Sequence, residues 1–199
     1  MHVEGSLLMP RTPPQPPSLA ERICLGLVCT SPEPVHGWVL VRELAPDGAI
    51  GRIWSLSRPL TYRAIDQLAG AGLIRSGGHV RGRGGERTLL APTAAGSRVV
   101  AHWLDDPVAH LREVRTELLV KLAIAERAGQ DTTVLIDAQR RAFAPLFAAL
   151  AERGPDDVVD RWRQTSARAV RSFLEELRAE NRRSAKNDRA GRGASEPLP

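Results

Sequence analysis

Between Ser57 and Pro92 the spacing of apolar residues switches from helical to strand-like within a few positions, and no other feature restricts the fold so strongly. Over "SRPLTYRAIDQLAGAG", Ile65, Leu68 and Gly72 fall on one helical face, with Ser57 placed to cap the helix and Pro59 in its first turn. Arg58, Tyr62 and Asp66 form an outward stripe, and Arg63 and Gln67 lie beside it. After Gly72, "LIRSG" and "RTLLAP" read as short strands on either side of the glycine- and arginine-rich "GHVRGRGGE". Residues 73–92 are therefore expected to form a β-hairpin with a long flexible tip.

Upstream, "SLAERICLGLVCT" opens with Ser18 and Glu21 spaced as a capping box, and Ser31, Pro32 and Pro34 end that helix. "HGWVLVREL" predicts a second helix from His36, with Val39, Leu40 and Leu44 inward, closed by Pro46, Asp47 and Gly48. Downstream of the hairpin, Thr93 caps "AAGSRVVAHWL", which stops at Asp105, Asp106 and Pro107. Three helices, a hairpin and a closing helix are the parts of a winged helix-turn-helix.

From Val108 onward the grammar is helical throughout. Leu111, Val114, Leu118 and Leu122 share a face in a helix that ends at Gly129. A second helix starts on an Asp131 cap, with a kink expected near Pro145 and a stop at Gly154. A third is expected to place Trp162, Ala169, Phe173 and Leu177 on one side. The predicted fold is mainly α with a small β-hairpin: a winged helix-turn-helix domain followed by an α-helical dimerisation domain. Its boundaries are a disordered leader over 1–17, the winged helix over 18–106, the helical domain over 107–180, and a disordered basic tail over 181–199. Apolar faces on three consecutive helices exceed what a small winged domain can cover, which points to a symmetric homodimer; an intramolecular bundle is the alternative.

Charge locates the partner. All but two of the 28 basic residues are arginine, and the formal net charge is +5. Residues 57–87 concentrate six arginines against two acids. The guanidinium fork suits phosphate and guanine edges, so helix and loop can share one double-stranded DNA partner. Ser57, Arg58, Thr61, Tyr62, Arg63 and Gln67 are the expected contacts from the helix. Arg81, Arg83 and Arg87 are those from the wing, where they hold register more than they read sequence.

The order "LGLVCTSPEPVHGWVLVREL", "LTYRAIDQLAGAGLI" and "RGGERTLLAPTAAGSRVVAHWL" resembles the PadR family of bacterial transcriptional regulators over residues 19–104. In that resemblance Tyr62 matches the recognition-helix tyrosine, Gly72, Leu73 and Ile74 the turn into the wing, Thr93 and Gly96 the following cap, and Trp103 the fourth-helix tryptophan. Trp38 stands where Tyr is usual, Leu60 and Thr61 invert the family's order, Pro92 replaces a Leu, and the stretch from Ala45 to Leu56 is long. Residues 108–180 resemble the longer subgroup, whose virulence-activator-like helical part builds the dimer. The resemblance implies a repressor acting on a palindromic operator, relieved by a small-molecule effector, with Trp103 and Trp162 lining an aromatic ligand site.

Other classes find less support. His36, His79, His102 and His110 are scattered without metal-ligand spacing, no catalytic cluster is visible, and neither an enzymatic role nor a cofactor or metal is expected. Cys24 and Cys29 sit in an apolar run and read as buried thiols, consistent with a cytoplasmic location. No stretch is long and apolar enough for a membrane span, and no secretion signal is expected. The reading that competes with a DNA-binding regulator is a winged-helix protein–protein interaction module with incidental DNA affinity.

Overall fold

The structure is a computed structural model that describes residues 16–82, 85–152 and 154–193, with side chains except at 77–82, 85–87, 185 and 187–193. Residues 1–15 of the expected leader lie outside the described residues.

Helix α1 (Leu19–Cys29) starts with the expected capping box: Glu21 N–H donates to Ser18 Oγ at 3.4 Å, while Ser18 N–H reaches back to Glu21 Oε2. Its residues 23–28 are all buried, which makes it the central helix of the first core. A two-residue strand β1 (Val35–His36) leads into α2 (Gly37–Glu43). The long stretch after α2 is an ordered, hydrogen-bonded turn in which Leu56 N–H donates to Leu44 O at 2.9 Å and Ile50 is 1% exposed.

Helix α3 (Arg58–Gly70) has Pro59 in its first turn as expected, but the Ser57 hydroxyl makes no cap bond. Thr61, Ala64, Ile65 and Leu68 are buried. Gly72 does not join that face. It lies beyond the helix with φ +69°, a left-handed conformation that turns the chain into the sheet and that glycine adopts without a Cβ clash.

Strands β2 (Ile74–Gly82) and β3 (Gly85–Pro92) form the hairpin, and β1 adds a third antiparallel strand in the order β1-β3-β2. Sequence reasoning missed β1 because two residues carry no periodicity. The expected loose tip is instead paired backbone as far as Gly82↔Gly85, with the register shifted between Ser76 and His79 at Gly77 and Gly78. Thr93 caps α4 (Ala94–Asp105), accepting from Gly96 N–H at 3.1 Å and donating to Gly72 O at 2.8 Å. Element order and sheet make this half a winged helix-turn-helix.

The second half opens with Val108 pinned by a buried glutamine on a later helix. Val108 N–H donates to Gln139 Oε1 at 2.7 Å, and Gln139 Nε2 donates to Val108 O at 3.0 Å. The helix expected from Val108 begins at Leu111 as α5 (Leu111–Glu113), widens into a π-helical turn (Val114–Leu118), and continues as α6 (Leu119–Arg127). Val114 and Leu118 belong to the second core, whereas Val120 and Ile124 belong to the first. Positions two apart on a helix point to nearly opposite sides, so one helix serves as a wall of both cores.

Helix α7 (Thr133–Glu152) contains Pro145 and starts where Asp131 accepts from Thr133 N–H at 2.8 Å. Helix α8 (Val158–Gly193) packs along it, burying Ala167 and Leu174. The face expected for α8 is corrected: Trp162 is 71% exposed and Ala169 is exposed, Phe173 and Leu177 are half-buried, and the buried positions are Ala167 and Leu174. The tail expected to be disordered from Asn181 is helical through Gly193, and Asn181 Nδ2 donates to Thr132 Oγ1 at 3.0 Å. An alanine-, arginine- and asparagine-containing run has no strong helix breaker before Gly191, so α8 simply propagates.

Candidate nucleic-acid interface

The packing of α3 sorts the expected contacts into two groups. Four buried residues turn its inner face onto α1 and α2, which leaves Ser57, Arg58, Tyr62, Arg63, Asp66 and Gln67 outside together. Thr61 is the correction: it is fully buried and its hydroxyl donates to Ser57 O at 3.1 Å, so it has no route to a partner. Its place in the sequence, four residues before Ile65 and seven before Leu68, is the inner stripe.

Arg58 stacks over the Tyr62 ring at 5.8 Å, one helical turn away. The stack holds the guanidinium at the helix N-terminus and leaves its donors outward. A parallel pair stands on α2, where Arg42 lies 5.1 Å over the ring of Trp38, itself 43% exposed. Sequence reasoning overlooked that pair, although the i, i+4 spacing of an aromatic and an arginine was the signal for it. Leu60, 49% exposed, adds an apolar contact surface at the same end of α3.

Because the Ser57 side chain leaves the α3 cap unfilled, the first N–H groups of that helix add a partial positive charge to the arginines around it. Arg75, exposed near the start of β2, extends the cationic surface toward the wing. Arg81 and Arg87 lie on paired backbone, opposite Glu86 and Val80 respectively, but their side chains and all of Arg83 lie outside the described residues.

Trp103 and Trp162 are not brought together. Trp103 is 4% exposed within the first core, and its Nε1–H donates to Glu117 Oε1 at 2.7 Å. The same oxygen accepts from Arg22 Nη1 at 3.1 Å and lies 3.4 Å from Lys121 Nζ. Lys121, 1% exposed, donates to Asp106 O at 2.7 Å and sits 5.4 Å from the centre of the Trp103 ring. Burial pulls the Lys121 pKa below its usual value, against the attraction of Glu117. This junction ties α1, α4 and α6 through the π-helical turn and was not foreseen, because its members lie far apart in sequence. Trp103 is thus a structural residue, and Trp162 lies on the open surface of α8.

The remaining chemistry is quiet. Burial raises Cys24 to about 12, with Glu21 adding to it, and raises Cys29 to about 11, so both are neutral thiols at physiological pH. Among the described residues no cluster of three or more potential metal ligands occurs, and no helix is long and apolar enough to cross a membrane.

No protein-family model matches the chain, and no curated protein matches it in sequence. Among solved structures, Bacillus subtilis PadR in complex with operator DNA is similar at a TM-score of 0.41 and 16% identity, over 79% of this chain and 97% of that one.

Proposed function

We propose that the chain is a DNA-binding transcriptional regulator of the PadR type. The observation that carries this reading is the outer face of α3, where Arg58, Tyr62, Arg63 and Gln67 are exposed together opposite a fully packed inner face. That face stands beside a two-stranded wing in a segment holding six arginines against two acids. In this reading α3 enters the major groove. Arg58 and Arg63 reach guanine edges or the nearest phosphates, and Ser57, Tyr62 and Gln67 complete the contact. Arg81, Arg83 and Arg87 follow the backbone from the wing. The protein acts as a homodimer through its helical second half, so that two α3 helices meet a palindromic operator one turn apart, and it represses until a small-molecule effector releases it. Exposed Val158 and Val159 supply apolar surface for the dimer.

The test is selection of genomic DNA fragments by the purified protein, followed by salt-dependent titration of the best fragment. Arg58→Ala is expected to relax sequence preference, and Arg81→Ala/Arg83→Ala to weaken all DNA alike, each lost phosphate contact lowering the salt slope by about 0.9. Equal, weak binding to every fragment would sink the operator reading in favour of a protein-interaction module.

A further inference from the structure

A groove of about 940 Å³ opens between α5 with its π-helical turn, α7 and α8. Its floor is apolar: Val114 and Phe143 are buried beneath it, and Leu146 and Phe173 flank them. Its rim is cationic, carrying Arg112, Arg115 and Arg163, and no acidic side chain lines it. Arg112 forms a long ion pair with Glu113 at 4.0 Å, whereas among the described residues Arg115 and Arg163 have no ion-pair partner. Trp162 stands at the edge with most of its indole in solvent.

An apolar floor asks for an apolar body. Arg115 and Arg163, without an ion-pair partner among the described residues, ask for an anion at one end of it. The volume lies at the upper end of the range for small-molecule sites, which exceeds the needs of a single small ring and suits an acyl chain or fused rings. A second copy of the chain, whose Asp156 and Asp157 stand exposed just before α8, is the competing occupant, and the titration below separates the two. We infer that this groove binds an amphipathic anion, an acyl-chain or fused-ring body carrying one carboxylate, sulfonate or phosphate. The inference names the chemistry of the effector in the regulator reading and rests on that reading only for its consequence at DNA.

The experiment is calorimetric titration of the full-length protein, without DNA, using dodecanoate below its micellar range against dodecanol and dodecylamine. Dodecanoate is expected to bind saturably, and both comparison ligands at least about tenfold more weakly. Arg115→Ala/Arg163→Ala is expected to erase the preference for the anion. Ala142→Trp, an exposed position on the groove wall, is expected to abolish binding with the helical circular dichroism unchanged. Equal binding of dodecanol and dodecanoate, or full binding by the Ala142→Trp variant, overturns the inference. So does a wild-type protein that binds no dodecanoate while Ala142→Trp dissociates a dimer, which makes the groove an interface between copies. None of these outcomes depends on DNA, so a failed operator selection leaves the groove standing, and an empty groove leaves the operator reading standing.

Discussion

The two halves of the chain solve the burial problem differently. The winged-helix half closes its core around α1, and among the described residues the large apolar side chains it leaves in solvent are Leu60 and two aromatics, Trp38 and Tyr62, that stand beside arginines on α2 and α3. The helical half packs α7 on α8 yet exposes Val134, Val158, Val159 and Trp162, and carries an open groove. A surface that pairs aromatics with cations suits a polyanion, whereas one that leaves aliphatics bare suits an apolar occupant. The halves are nonetheless not separate units. Helix 111–127 walls both cores, Arg127 bonds Glu43 at 2.8 Å, and Glu117 gathers donors from α1 and α4.

The sharpest way to break that union is Glu117→Ala. It leaves Lys121 buried without its carboxylate and Trp103 Nε1–H without an acceptor, and stability is expected to fall by about 3–5 kcal/mol in urea denaturation. A variant that instead unfolds in two steps, with the wild type unfolding in one, would show the halves to be independent.

Ile124→Ala tests the shared wall. Ile124 is fully buried and its Cδ1 lies 3.0 Å from where a Cβ on Gly26 would stand, so α1 approaches α6 closely at that glycine. The substitution is expected to cost about 2–5 kcal/mol and to speed amide exchange in α1, although Ile124 lies outside the winged-helix segment of the sequence. Unchanged exchange in α1 would return the wall to the second half alone.

Alkaline titration probes α1 from inside. An unfolded Cys24 thiol ionises near 9.0, while the folded one holds its proton to about 12. The unfolded state therefore binds fewer protons in that window, and stability falls by about 1.4 kcal/mol per pH unit above 9. Lys121 has the opposite sign, since its folded pKa lies below 10.5 and stability rises as pH climbs toward that value. The difference between wild type and Cys24→Ala isolates the thiol, and parallel pH profiles for the two would contradict its burial.

Val158→Asp/Val159→Asp is the mildest change for the protomer. Both side chains are more than half exposed, so folding is expected to shift by no more than about 0.5 kcal/mol, while sedimentation velocity is expected to show weakened self-association. An unchanged sedimentation profile would move the dimer contact elsewhere.

Legibility divides along the same line. The caps at Ser18 and Thr93, the inner positions Ile65 and Leu68 of α3 and the stop at Gly129 are local events, and local spacing announces them, whereas the same spacing put Gly72 on the helical face that it leaves. Thr61 was misplaced because a hydroxyl at a helix start suggests a contact, whereas the apolar stripe it sits on dictates burial. The Gln139 clamp on Val108 and the Glu117 junction join residues far apart in the chain, and a polar residue in a helical run looks solvent-facing until its partner is known. The exposure of Trp162 follows from which side of α8 meets α7, a choice that helical period alone does not fix.

That one helix walls two cores also bears on the order in which the protein comes into being. Synthesis runs from the N-terminus, and the chain can order only what has already emerged. The winged half has its α1, its sheet and its α4 by Asp105, but its core still lacks Val120 and Ile124. Until those residues arrive, the side of α1 around Gly26 faces water or a chaperone. The nascent DNA-facing half is therefore finished by the first helix of the half that follows it, and a fragment cut at residue 106 would be born with that seam open.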